Sequence, residues 1–281
     1  MTVKFFFQFF LAAIFMMAPA SSKAVANDIS VSTKSLHSLV AGITGNNARA
    51  NLIIDGVTSI HHMSLKPSTI RKLHTAKLIV WMGAGIEPFI ENALNAVADT
   101  TTIHDLSPHL ITQNVYWWTN PAQAIALIAP LTELIIATDP KNKSQYEKNA
   151  KNLLLQLNSM ILEIKASLAP FSDTHFMTLH DTYRGFNSNF GLQNGKAIER
   201  NSAVGAKTLT KLRKEIRRTN VACVFGEVGE NPAILNTLLE GTSTKVETLD
   251  AMGNKLVAGP QFYEDLIRQI ADTYLTCFRT K

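Results

Sequence analysis

From residue 143 to residue 168 the chain contains neither glycine nor proline. Leu153, Leu154, Leu157, Met160, Ile161, Ile164 and Leu168 recur there at helical spacing. Pro140 near the start and Pro170 just beyond the end mark its limits. A helix of about 25 residues is ~37 Å long, enough to cross a whole domain. So rigid an element divides the chain into two flanking halves.

Both flanks show the same alternation. Short runs rich in Ile, Val and Leu read as strands at 51–55, 77–83 and 101–106 ahead of the long helix, with helices at 67–76 and 86–98 between them. Behind it, 174–179, 221–227 and 244–250 read as strands, with helices around 205–219, 230–240 and 260–278. Strand–helix alternation predicts parallel sheets covered by helices on both faces. The expected fold is therefore α/β: two lobes, at 27–138 and 171–281, each a parallel sheet flanked by helices. One long rigid helix, within 139–170, bridges them. No internal sequence repeat or low-complexity tract is evident.

The first 26 residues read differently. Lys4 precedes an apolar stretch from Phe5 to Ala18, and small residues follow up to Ala24-Val25-Ala26. A positive start, a short apolar stretch and an A-x-A site describe a cleaved secretory signal peptide, too short for a comfortable membrane span. The expected mature chain begins near Asn27 and is exported and soluble. The whole chain has 27 Lys and Arg against 22 Asp and Glu; without Lys4 and Lys23 the balance is 25 against 22. The basic residues are scattered apart from KLRKEIRR (211–218), which reads as a solvated helix face. Nothing resembles a nucleic-acid footprint with interleaved aromatics. The two cysteines, Cys223 and Cys277, read as one disulfide in an oxidising compartment.

In open parallel sheets, ligands bind outside the carboxyl ends of the strands. Polar residues just past the expected strand ends are His61, His62, His180, Glu227 and Asp250. Imidazole nitrogens and carboxylate oxygens so placed can converge on a cation between the lobes. The alternative is that each caps a helix or pairs with a neighbour.

Five segments, in order, carry a resemblance over essentially the whole mature chain. They are KSLHSLVAGITG, HHMSLKPS, LHDTYRGFNSNFGL, ACVFGEVGENPAIL and VETLDAMG. Together they resemble the periplasmic substrate-binding proteins of bacterial zinc ABC importers, whose lobes are joined by one long helix. The resemblance implies a periplasmic monomer that captures a divalent metal ion, zinc with manganese as the alternative, and hands it to an ABC transporter membrane permease. It further implies His61 as first ligand, His180 as third and Asp250 as the carboxylate. His62 becomes a rim residue, and Asp181 and Tyr183 become partners that orient His180. TYLTCF near the end fits the zinc branch, whose members commonly bridge these two cysteines.

One departure stands out. The family's second ligand lies in a segment like D-P-H-x-W-x-D-P, where this chain has NVYWWTNP; alignment on Trp118 and Pro121 puts Tyr116 at the histidine. A neutral tyrosine is a poor zinc ligand, because its unperturbed pKa is near 10. Three outcomes are open: zinc held by three residues plus water, Glu227 swinging in as a fourth ligand, or a shift to another cation or to none. The histidine-rich acidic loop of many relatives is missing too, since His104 and His109 are too few for a metal-collecting tract. Two other classes compete: a zinc hydrolase with Glu227 as general base, and a metal-blind adhesin on the same scaffold. No H-E-x-x-H helix favours the hydrolase, and a two-lobe cleft suits capture and release.

Overall fold

The computed structural model describes residues 29–54, 67–97, 100–112, 115–193, 195–198, 206–230 and 233–279. The expected signal peptide, His61 and His62 lie outside the described residues. The first lobe contains β1 (Ile29–Val31), α1 (Lys34–Thr44), β2 (Ala50–Leu52), α2 (Pro67–Thr75), β3 (Leu78–Trp81), α3 (Pro88–Leu94), β4 (Thr102–Asp105) and α4 (Pro121–Thr138). Helix α5 (Lys143–Leu168) comes next. The second lobe contains β5 (Phe176–Thr178), α6 (Arg184–Phe190), β6 (Gly195–Ala197), α7 (Ala206–Arg218), β7 (Cys223–Glu227), α8 (Ala233–Leu239), β8 (Lys245–Leu249) and α9 (Phe262–Arg279).

Each lobe is a four-stranded sheet, ordered β2-β1-β3-β4 in the first and β6-β5-β7-β8 in the second. Every strand pairing is parallel. Successive strand residues point to opposite faces, which sorts the core into layers. In β3, Leu78 and Val80 face inward, whereas Ile79 and Trp81 join Leu73 and Ile90 on the outer face. In β7, Cys223 and Phe225 face inward and Val224 faces outward among Leu212, Ile216 and Leu238. Strands buried on both faces are what an all-parallel sheet requires.

The inner layers of the two lobes meet on a shared set of helices. Leu153, Leu157, Met160, Ile164 and Leu168 of α5 are buried in one continuous core with α1, α4 and α9. Burial of each such side chain is worth ~1.5–3 kcal/mol, so Leu157→Ala is expected to cost about 2–5 kcal/mol once the cavity is counted. Among the described residues, α4 alone is long and apolar enough to cross a membrane by length and composition. Its Ala124, Leu127, Ile128, Leu131 and Ile135 are buried in the same core.

Cys223 and Cys277 form a disulfide with Cα atoms 6.2 Å apart, tying the inner face of β7 to α9. Direct hydrogen bonds also cross between the lobes. Trp118 Nε1 donates to Ala251 O (2.9 Å), and Thr119 Oγ1 donates to Thr182 O (2.7 Å). Lys34 Nζ reaches Leu256 O (3.2 Å), and Ser38 Oγ reaches Pro260 O (2.9 Å) while accepting from Tyr263 N (3.0 Å). At Gly185, the first turn of α6 comes so close to Asn120 that an added Cβ would stand 2.6 Å from the Asn120 Cβ. A side chain there would push the lobes apart.

Candidate metal centre

Strand β5 ends at Thr178, and two residues later the chain lifts His180 out of the sheet. The Thr178 hydroxyl donates to the His180 carbonyl (2.8 Å), which holds the bend. The imidazole remains 30% exposed, with Nε2 lying 3.3 Å from Glu230 Oε1 and 3.9 Å from Glu227 Oε2. Glu227 is the last residue of β7. Glu230 returns beside it because Gly229 takes a positive φ of 91° and Glu230 N bonds back to Glu227 O (3.1 Å). That conformation is cheap only for glycine.

The two carboxylates affect each other. Burial raises the Glu227 carboxyl to about 7, and the charges of Glu230 and Asp250 push the same way, against a lowering contribution from Tyr183. Tyr183 itself is 2% exposed. Its hydroxyl lies beside Glu227 yet makes no well-formed hydrogen bond. Burial raises its pKa first, and Glu227, Tyr274 and Asp250 push the same way, against a lowering backbone contact from Ala251.

Asp250, just past β8, is 6% exposed. Its Oδ1 accepts from Met252 N (3.2 Å) and Asn254 Nδ2 (2.8 Å), and its Oδ2 accepts from Asn254 N (2.7 Å). A carboxylate has about four acceptor sites, so one remains on Oδ2. Asp250 therefore builds the turn beyond β8 while keeping one lone pair to offer.

Tyr116 approaches from the first lobe, on the turn ahead of α4, with its ring edge-on to Trp118 at 5.7 Å between centroids. Burial raises the phenol pKa first, and Glu227 and Asp181 raise it further, while a hydrogen bond with Thr182 lowers it. These partners belong to the second lobe, so Tyr116 faces Glu227 across the cleft. In this state the phenol is held away from phenolate.

Asp181 and Tyr183, expected beside the imidazole, make their contacts elsewhere in the described structure. Asp181 is paired with Arg184, at 2.6 Å to Nη2 and 2.9 Å from Nε, because a single turn of chain brings the two together. Tyr183 reaches Glu227 rather than the imidazole. His180 is instead met by Glu230, a residue that sequence reasoning misses; the signal that could reveal it is the E-x-x-E spacing around Gly229 at the end of β7. Among the described residues, no group of three or more His, Cys, Asp or Glu is placed to hold a metal ion as it stands. His180, Glu227 and Glu230 lie together on the second lobe's side of the cleft, and Tyr116 faces Glu227.

Comparison with known proteins agrees with this architecture. Residues 29–277 match the family described as ZnuA, "Zinc-uptake complex component A periplasmic". The high-affinity zinc uptake system protein ZnuA of Brucella abortus (strain 2308) is 25% identical over 324 aligned residues, covering 95% of this chain and 97% of that protein. Its namesake in Yersinia pestis is 24% identical over 310, covering 97% of each. Among solved structures, a ZnuA crystal structure superposes with a TM-score of 0.76 at 22% identity, covering 88% of this chain and 99% of that one. The Ni2+ complex of the substrate-binding protein FpvC from P. aeruginosa gives 0.75 at 19%, covering 89% and 96%. The laminin-binding protein of Streptococcus agalactiae, described as bifunctional with adhesin and metal-transporting activity, gives 0.76 at 18%, covering 90% and 100%. The match over nearly the whole described chain settles its kinship: this protein belongs to the ZnuA family of periplasmic zinc-uptake components.

Proposed function

We propose that this chain binds zinc in the cleft between its lobes and presents it to the membrane permease of an ABC importer. Membership of the family makes the chain a metal-binding, substrate-binding component of an uptake system, not an enzyme. The observation that carries the reading to this molecule is His180, a partly exposed imidazole whose Nε2 lies within 4 Å of two carboxylates and bonds to the nearer one, Glu230. Imidazole and carboxylate are the donors that zinc accepts. In our reading His61, His180 and Asp250 are ligands, and residues 1–26 direct the chain to the periplasm. The curated relatives are zinc-uptake proteins by name; the FpvC structures hold Ni2+ and Mn2+, and manganese is the second cation to test.

Capture and release are consequences of the electrostatics. Glu227 and Glu230 repel one another, so a divalent cation between them removes an unfavourable interaction as it gains ligands. The shared core and the hydrogen bonds from Trp118, Thr119, Lys34 and Ser38 hold the lobes together, so closure is a small rocking rather than a wide hinge. The adhesin activity described for the streptococcal structure belongs to that protein; likeness at 18% identity carries the fold alone.

Chelator competition on metal-stripped protein tests the ligand set. His61→Ala and Asp250→Asn should each weaken zinc binding by about tenfold or more. The asparagine variant is chosen because its carbonyl can still accept from Met252 N and Asn254 Nδ2, while the acceptor for Asn254 N is lost. Wild-type affinity in both variants means the cation sits elsewhere.

A further inference from the structure

We propose that Glu230 is a cation ligand, so that the second lobe alone presents one imidazole and two carboxylates, from His180, Glu230 and Glu227, to the bound metal. This rests on reading the cleft as a cation site, and adds to it a ligand beyond the His61, His180 and Asp250 set.

The argument is geometric. Ligand atoms at 2.0–2.2 Å around a tetrahedral cation are separated by about 3.3–3.6 Å along each edge. His180 Nε2 and Glu230 Oε1 are already 3.3 Å apart, and Glu227 Oε2 is 3.9 Å from the same nitrogen. A cation on Nε2 would take the place of the hydrogen bond that Nε2 now shares with Glu230 Oε1, keeping that oxygen within reach, and would draw Glu227 closer by a few tenths of an ångström. Both carboxylates approach the same ring nitrogen. The approach is built in by the backbone, since the turn at Gly229 returns Glu230 to the end of β7.

A second observation points the same way. The Tyr183 hydroxyl is buried beside Glu227 without a well-formed hydrogen bond. Donation to a Glu227 carboxylate turned toward a cation would satisfy it, in the manner of groups that fix metal ligands from behind. Asp250, by contrast, has three of its acceptor sites taken by its own turn. One nitrogen with two carboxylates suits manganese as well as zinc, because carboxylate oxygen favours the harder ion.

The test pairs diffraction with titration. Crystals of the full chain grown with zinc should show a Glu230 oxygen about 2.0–2.2 Å from the metal. Glu230→Gln should weaken both Mn2+ and Zn2+ by tenfold or more, manganese the more strongly, with an unchanged metal-free melting temperature. Metal on His180 with both Glu230 oxygens beyond about 3 Å overturns the proposal. So does an unchanged affinity in Glu230→Gln where His180→Ala loses binding, and that result leaves the cleft site standing. Wild-type protein that takes up neither metal overturns the cleft reading and this proposal together.

Discussion

The two sheets have the same strand order, so β1 corresponds to β5 and β3 to β7. Each lobe places a hydroxyl or imidazole just past the first strand of this pair and a carboxyl at or beyond the second. In the first lobe these are Ser32 and Glu87, where Ser32 Oγ donates to Glu87 Oε1 (2.7 Å) and Met82 N donates to Oε2 (3.0 Å). In the second they are His180 and Glu227. Both carboxyls are raised to about 7, each chiefly by burial. Yet Glu87 is 2% exposed and both of its oxygens have neutral donors, whereas Glu227 lies beside a second carboxylate and a partly exposed imidazole that bonds to that carboxylate. Carboxyls at or beyond corresponding strands thus close one lobe and leave the other exchangeable. A raised carboxyl marks a site only where its partners could be exchanged for a ligand.

The largest effect expected of this asymmetry concerns the crosslink. Cys223 occupies in β7 the register that Leu78 occupies in β3, opposite Phe176 and Ile29 respectively. Loss of the bond in Cys223→Ala/Cys277→Ala should lower stability by about 4 kcal/mol, since it closes a loop of 54 residues. Guanidinium unfolding of the variant against the oxidised protein measures it; a difference under about 1 kcal/mol would mean that α9 is held by packing alone.

Glu87→Ala should cost about 2–4 kcal/mol, because Ser32 Oγ and Met82 N lose their acceptors in the core. Zinc affinity should be unchanged. A variant that folds normally but loses zinc would break the comparison, by making the first lobe's carboxyl part of the site.

The fold is legible in sequence where one physical signal dominates. Helix α5 is evident from its period and bounding prolines, and the central strands from β-branched runs buried on both faces. Helix α4 escapes a sequence reading, because Leu, Ile and Ala cover nearly all of its faces and erase the period. Pro130 inside it also reads as a stop, yet packing against α5 carries the helix through. Strand β6 has three mostly exposed residues and no alternation. Gly195 is required there because the Phe176 ring covers the place of a side chain. In the site, the strand-end rule finds His180, Glu227 and Asp250. Glu230 depends on the turn at Gly229, and Glu87 looks like an ordinary helix-start residue ahead of Pro88. Only the tertiary fold shows that its side chain turns inward.

A pH series separates the two carboxyls. Each binds its proton more tightly folded than unfolded, with a pKa of about 7 against 4.5. Their contribution to stability is fully present below about pH 4.5 and is lost as pH rises through about 7. For Glu87, the more deeply buried, that loss approaches about 3 kcal/mol. Melting temperatures of the metal-free protein from pH 5 to 8 should therefore fall, and Glu87→Gln should flatten the decline. A variant as steep as wild type would assign the whole slope to the second lobe.

The central claim is that His180 serves the cation and not the fold. Calorimetric zinc titration of metal-stripped wild type and His180→Ala, under identical conditions, tests it most directly. The account predicts one zinc per chain in the wild type and an affinity tenfold or more weaker in the variant, a change of about 1.4 kcal/mol or more. Equal affinity in the two proteins, or no zinc binding by the wild type, would contradict it.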